Sequence, residues 1–172
     1  MINNIKYKWV FITVIFISVI ATSCKMGYSF TGASISPNIK TISVDYFPNH
    51  ALLVNPTLSQ TFTEALKDKF VNQTSLELVS DEGDLQFSGA ITRYTTTPAA
   101  ITGDLASQTR LTIIIQVKFV NTKNPNQDFD KAFSHYADYP SSESLDAVED
   151  QLITDIVEKI TDDIFNKSVS NW

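Results

Sequence analysis

From Thr109 to Thr122 the chain alternates without a break. Leu111, Ile113, Ile115, Val117 and Phe119 fall on one parity, and Arg110, Thr112, Ile114, Gln116 and Lys118 on the other. Side chains of an extended strand point to opposite faces in turn, so this run is a strand with one buried side, and it requires a second layer over that side. From Ser141 onward the period changes. Leu145, Val148, Leu152, Ile156, Ile160 and Ile164, joined by Ile153, Val157 and Phe165, recur at spacings of three and four. That stripe predicts an amphipathic helix of about six turns, with carboxylates such as Glu149, Asp155 and Asp163 off the apolar side. Ser141, Ser142 and Ser144 are capping candidates at its start, and Glu143 and Asp146 suit the positive end of the helix dipole.

The rest of the chain supplies the other pieces of such a layered fold. Lys40 to Phe47 alternates, with Ile42, Val44 and Tyr46 on one face, and reads as a strand ending at the turn Pro48-Asn49-His50. Asn55-Pro56 marks a helix start, with Asn as cap and Pro in the first turn; Leu58, Phe62, Ala65, Leu66 and Phe70 then form the apolar stripe. Leu76 to Val79 is too brief to assign as a full strand, and Ser80 to Asp84 is a turn. Leu85 to Thr97 is a long strand in which Gly89 marks a bulge or a close approach of another segment. Pro98 to Gln108 reads as a loop. Asn124-Pro125-Asn126 turns the chain into a strand from Asp128 to Tyr136, with Phe129 and Phe133 on its inner parity. The last three strands have no crossover helix between them and so form an antiparallel meander. The expected fold class is α+β: a two-layer sandwich with a mostly antiparallel four-stranded sheet and two helices packed on one face. The other sheet face, carrying Ile114, Gln116 and Lys118, stays open.

The first residues read as targeting sequence. Lys6 and Lys8 precede an uncharged apolar run, Trp9 to Ala21, which ends three residues before Cys24, the single cysteine of the chain. That is the outline of a signal peptide over residues 1–23, with a membrane anchor helix as the other reading. Ala21-Thr22-Ser23-Cys24 resembles the bacterial lipoprotein processing box, in which the cysteine receives lipid and becomes the mature N-terminus. Two or more acyl chains on Cys24 give stable attachment where one gives only marginal binding. Residues 24–38 then form a lipidated N-terminus and polar linker, and residues 39–172 a single α+β domain. With the leader removed, 11 basic and 19 acidic residues remain over 149 positions, a charge of −8.

That acidity argues against a nucleic-acid partner, because phosphate-backbone binders gather lysine and arginine. A lone cysteine excludes an internal disulfide and any multi-cysteine metal site. His50 and His135, the two histidines, lack ligand spacing and read as surface or rim residues. No nucleophile elbow or phosphate loop is present, so the chain is expected not to be an enzyme and to use no cofactor or metal. Five cations, Arg93, Arg110, Lys118, Lys123 and Lys131, fall on the strand block, either as solubilising residues or as a local site for an anionic ligand. Most phenylalanines sit on buried parities. Tyr28, Phe30, Tyr94, Tyr136, Tyr139 and Trp172 are harder to place inside and are the interface candidates.

Several stretches carry a family likeness. Cys24 followed by Gly27-Tyr28-Ser29-Phe30, then Ile39 to Val44, Phe47-Pro48-Asn49, Pro56 to Phe70, Gly83 to Gly89 with Ile91, Arg110 to Ile113, Phe133 to Asp138 and Asp163 to Lys167 resemble, in order, the lipopolysaccharide-assembly lipoprotein LptE in its Bacteroidetes form. The likeness covers essentially the whole chain after the leader. It implies an outer-membrane lipoprotein, anchored through its lipid on the periplasmic side, that sits inside or against the LptD β-barrel. It further implies a role in assembling that barrel and in delivering lipopolysaccharide to the outer leaflet. The resemblance to proteobacterial relatives implies that basic residues of the strand region contribute to lipopolysaccharide binding, with Arg93, Arg110 and Lys118 the nearest such positions here. The rival reading is a periplasmic lipoprotein adaptor or binding module of similar fold with another envelope partner.

Overall fold

A computed structural model describes residues 35–53, 55–102 and 105–169. In chain order the elements are β1 (Thr41–Val44), α1 (Leu58–Gln73), β2 (Glu77–Leu78), β3 (Leu85–Thr102), β4 (Leu105–Asn121), a single 3₁₀ turn (Pro125–Gln127), β5 (Phe129–Pro140) and α2 (Leu145–Val169). The strands form one sheet in the order β2-β1-β3-β4-β5. The two-layer α+β sandwich is as expected, with both helices on one face. The sheet is one strand larger and mixed: β1 runs parallel to both β2 and β3, while β3, β4 and β5 are antiparallel.

The strongest periodicities produce the core. Leu58, Phe62, Leu66 and Phe70 of α1 and Leu152, Ile156, Ile160 and Ile164 of α2 are buried against Leu111, Ile113, Ile115, Val117 and Phe119 of β4. Each such side chain contributes about 1.5–3 kcal/mol through burial. Phe70 joins the layers, its ring centroid 4.9 Å from Phe87 of β3 and 5.1 Å from Phe165 of α2; Phe87 in turn lies 4.8 Å from Phe119. Asn55 caps α1 from just outside it: its Oδ1 accepts from the Thr57 and Leu58 N–H groups at 2.9 and 3.0 Å. An ion pair between Lys69 and Asp162 ties the helices together, and His135 Nε2 lies 2.7 Å from Asp163 Oδ2, tying β5 to α2.

Three local expectations differ from the structure, each for a physical reason, and the two alternatives at Gly89 are resolved. The span Pro98 to Gln108 is not a loop: β3 and β4 continue as an antiparallel pair as far as Thr102↔Leu105. Pro98 is tolerated because it sits where β3 is an edge strand and beside a register shift, settings in which a missing N–H costs little. The segment at Leu76 to Val79 does form a strand, because even its two residues find a parallel ladder on β1. The alternation of β1 stops at Val44, after which Tyr46 is exposed and Phe47 takes the buried place. Gly89 marks a close approach and not a bulge: a Cβ there would lie 2.0 Å from the Gln116 carbonyl oxygen and 2.8 Å from the Phe47 ring, at φ +153°. The bulge follows it, between Ile91 and Arg93.

The link from β2 to β3 crosses over β1 on the face away from the helices. Gly83 packs so tightly there that a Cβ would sit 2.5 Å from the Ser43 nitrogen, and Ser43 is buried beneath it. Asp84 closes the crossing. Its carboxylate accepts from the Lys40 and Thr41 N–H groups at 2.7 and 3.2 Å and pairs with Lys123 at 2.9 Å.

Candidate functional site

Among the described residues, the meander β3-β4-β5 leaves one broad face uncovered. Along β4 it carries Arg110, Thr112, Ile114, Gln116 and Lys118; β3 adds Ser88, Ala90 and Arg93, and β5 adds Asp130, Ser134, Tyr136 and Asp138. Hydroxyls, amides and compensated charges dominate, broken by Ile114 and by Tyr136, which is 49% exposed.

All three expected lipopolysaccharide contacts lie on this face, but they do not converge. Register sets Arg93 opposite Ile114, so Arg110 and Lys118 stand four residues away along β4 in opposite directions. At about 3.3 Å per residue, Arg93 is offset by about 13 Å of backbone from each of the other two, so no two of the three are adjacent on the face. Arg110 is also spent internally. Its Nε and Nη2 donate to the two carboxylate oxygens of Asp138 at 2.7 and 2.8 Å, and its guanidinium lies 3.6 Å over the Tyr136 ring. Those hydrogen bonds hold the Asp138 carboxyl below its ordinary range and raise Arg110 above its own. Gln116 donates to Asp130, the residue opposite Lys118. Arg93 has no hydrogen bond or ion pair among the described residues.

The interface tyrosines separate into two kinds. Tyr136 is exposed on the open face, as expected. Tyr94 and Tyr139 are buried under α2, which corrects their expected place on the surface. The Tyr94 hydroxyl donates to Glu149 of α2, and burial followed by that carboxylate pushes its ionisation far above the ordinary value. The bulge after Ile91 accounts for Tyr94, since one extra residue carries it to the inner side. Tyr139 lies inside because β5 continues to Pro140 on the parity of Phe133. Cys24, Tyr28, Phe30 and Trp172 lie outside the described residues.

The sequence reading passed over Leu52 and Leu53. They lie between β1 and α1, where Leu52 is fully exposed and Leu53 is 55% exposed. The signal was present in Ala51-Leu52-Leu53-Val54, four apolar residues in a row between a turn and a helix cap. With Thr92, Arg93, Thr95 and Thr97 they line a groove of about 530 Å³. A second pocket, of about 320 Å³, lies where the described chain begins, between Ile35, Ile39, Asn121 and Val169. The Asn121 side chain in it is fully engaged: its amide donates to Gln127 and its carbonyl accepts from the Lys123 and Asn124 N–H groups. Among the described residues no helix is long and apolar enough to cross a membrane, and no cluster of His, Cys, Asp and Glu is placed to hold a metal ion.

Comparison with curated proteins gave no match. Solved structures share the fold at low identity. A hypothetical protein from Chlamydia trachomatis aligns with a TM-score of 0.54 at 8% identity, over 77% of this chain and 99% of that one. An uncharacterized lipoprotein B from Nitrosomonas europaea aligns with a TM-score of 0.53 at 10% identity, over 78% and 83%. The family profile described as "LptE: Lipopolysaccharide-assembly" matches residues 39–168, which span β1 to the last turn of α2. With that match over most of its length, the chain belongs to the LptE lipopolysaccharide-assembly family.

Proposed function

We propose that this protein is a Bacteroidetes-type LptE, a lipoprotein held to the outer membrane through Cys24 on the periplasmic side. Its role is to bind and support assembly of the LptD β-barrel and to assist delivery of lipopolysaccharide to the outer leaflet. Family membership supplies the context, and the open face of β3-β4-β5 carries the reading. A barrel lumen is polar, and a rigid sheet face of hydroxyls, amides and the Arg110–Asp138 pair suits wet contact with such a wall. The role is structural first. The spread of Arg93, Arg110 and Lys118 and the neutralisation of Arg110 favour barrel contact over a preformed anion pocket, leaving Arg93 and Lys118 as the residues for ligand handling. We assign no catalytic step to the chain.

Affinity purification of the tagged lipoprotein from detergent-extracted outer membranes tests this. Co-recovery of a large β-barrel protein is the expected result. Recovery without one overturns the barrel assignment in favour of an adaptor with another envelope partner.

A further inference from the structure

The upper half of β3 is an unfinished edge. Below it, β1 and the residues after it occupy the outer side: Phe87 accepts from the Asp45 N–H, Ile91 donates to the Pro48 carbonyl, and the His50 N–H donates to Ile91. That contact ends at the bridge Asn49↔Ile91. The bulge then shifts the register by one, so that Arg93 faces Ile114 and Tyr94 faces Ile113. The outward-pointing main-chain groups therefore pass from Ile91 to Tyr94, Thr96 and Pro98. Nothing among the described residues bonds to the Tyr94 and Thr96 main chain from that side. Pro98, with no N–H to offer, closes the stretch.

Leu52 and Leu53 stand beside this short edge, on a loop pinned at both ends. The His50 N–H bonds to Ile91, the Ala51 N–H to Asn49 Oδ1 at 3.0 Å, and buried Asn55 anchors the start of α1. The two adjacent exposed leucines place apolar surface beside an open main-chain edge. The neighbouring cation, Arg93, has no carboxylate of its own.

We propose that the β3 edge from Thr92 to Pro98 receives an extended strand of a different protein, which lodges an apolar side chain against Leu52 and Leu53 and sets a carboxylate against Arg93. Main-chain pairing supplies affinity in such strand addition, and the flanking pocket and charge supply selectivity. A second copy of this chain is the poorer occupant, because it repeats Arg93 on the same edge and brings together two net-acidic chains.

The test places a photo-crosslinking amino acid in the full-length lipoprotein, in cells, at Thr96, at Leu53 or, for comparison, at Ser134 on the open face. Crosslinks from Thr96 and Leu53 to one contiguous segment of another protein are expected. Crosslinks to a second copy, to lipid alone, or to nothing while Ser134 still reacts, overturn the proposal. Thr96→Pro, which deletes one edge N–H, is expected to weaken recovery of the partner about tenfold, and Leu52→Asp is expected to do the same at a position too exposed to matter for folding. Full recovery with both variants overturns it as well. A Thr96 crosslink to a protein other than a β-barrel leaves this inference standing and removes the barrel assignment; a barrel crosslinked through Ser134 alone does the reverse.

Discussion

Arg110 and Asp138 face each other directly across the β4–β5 ladder, with Nε and Nη2 of the guanidinium 2.7 and 2.8 Å from the two carboxylate oxygens and the Tyr136 ring beneath. A cation so matched has little field left for an outside anion, whereas Arg93 and Lys118 have no such match among the described residues. Charge reversal at Arg93 or Lys118 should therefore weaken lipopolysaccharide binding by the purified protein more than Arg110→Ala does. Titration with labelled lipopolysaccharide checks the order. A larger loss from Arg110→Ala would make the Asp138 pair a resting state that the ligand displaces.

The crossing of the β2–β3 link over β1 depends on an ionised carboxylate. Lys123 and the N–H groups of Lys40 and Thr41 hold Asp84 down to about 2 in the folded chain. An unfolded aspartate titrates near about 3.9, so the unfolded state binds the proton first as pH falls. The stabilisation is complete above about pH 4 and is lost between about pH 4 and pH 2. Urea midpoints measured across that window should fall less steeply for Asp84→Asn than for the wild type. Equal slopes would show that this carboxylate does not hold the crossing.

Gly89 meets the chain at its tightest point. A methyl group there collides with the Gln116 carbonyl, which cannot move without breaking the β3–β4 ladder, and φ +153° is hostile to any side chain. Strain and overlap together predict a loss of about 3 kcal/mol or more for Gly89→Ala, read as a lower urea midpoint. A variant as stable as the wild type would mean that the ladder relaxes at no cost.

What could be read in the sequence was what repeats. The α1 and α2 stripes and the β4 alternation run for many residues with a single period, so the helices, the central strand and the open face were all legible. Single-residue events were not. One extra residue at Thr92 reverses the parity of β3 and carries Tyr94 from the expected outer face to the core; no composition signal accompanies it. Pro98 carried a loop signal that only its edge position cancels. The two residues of β2 are held by pairing with β1, a contact far away in sequence. Four of the five cations fall on strands and Lys123 lies just past β4, yet register alone decided that Arg93, Arg110 and Lys118 stand apart, and register depends on a partner strand that a local pattern does not reveal.

Tyr94 offers a way to tell core from interface directly. Its ring is buried beneath α2 and its hydroxyl donates to Glu149, which is only partly buried and can turn to water. Tyr94→Phe keeps the packing and loses one hydrogen bond, for a cost of about 1 kcal/mol. Tyr94→Ala also empties the site and should cost about 3–5 kcal/mol. Partner recovery from membranes should be unchanged in the phenylalanine variant, because the hydroxyl faces α2 and no outside surface. If Tyr94→Phe loses the partner while its urea midpoint stays that of the wild type, the tyrosine belongs to the interface, and the packing of α2 over β3 opens during binding.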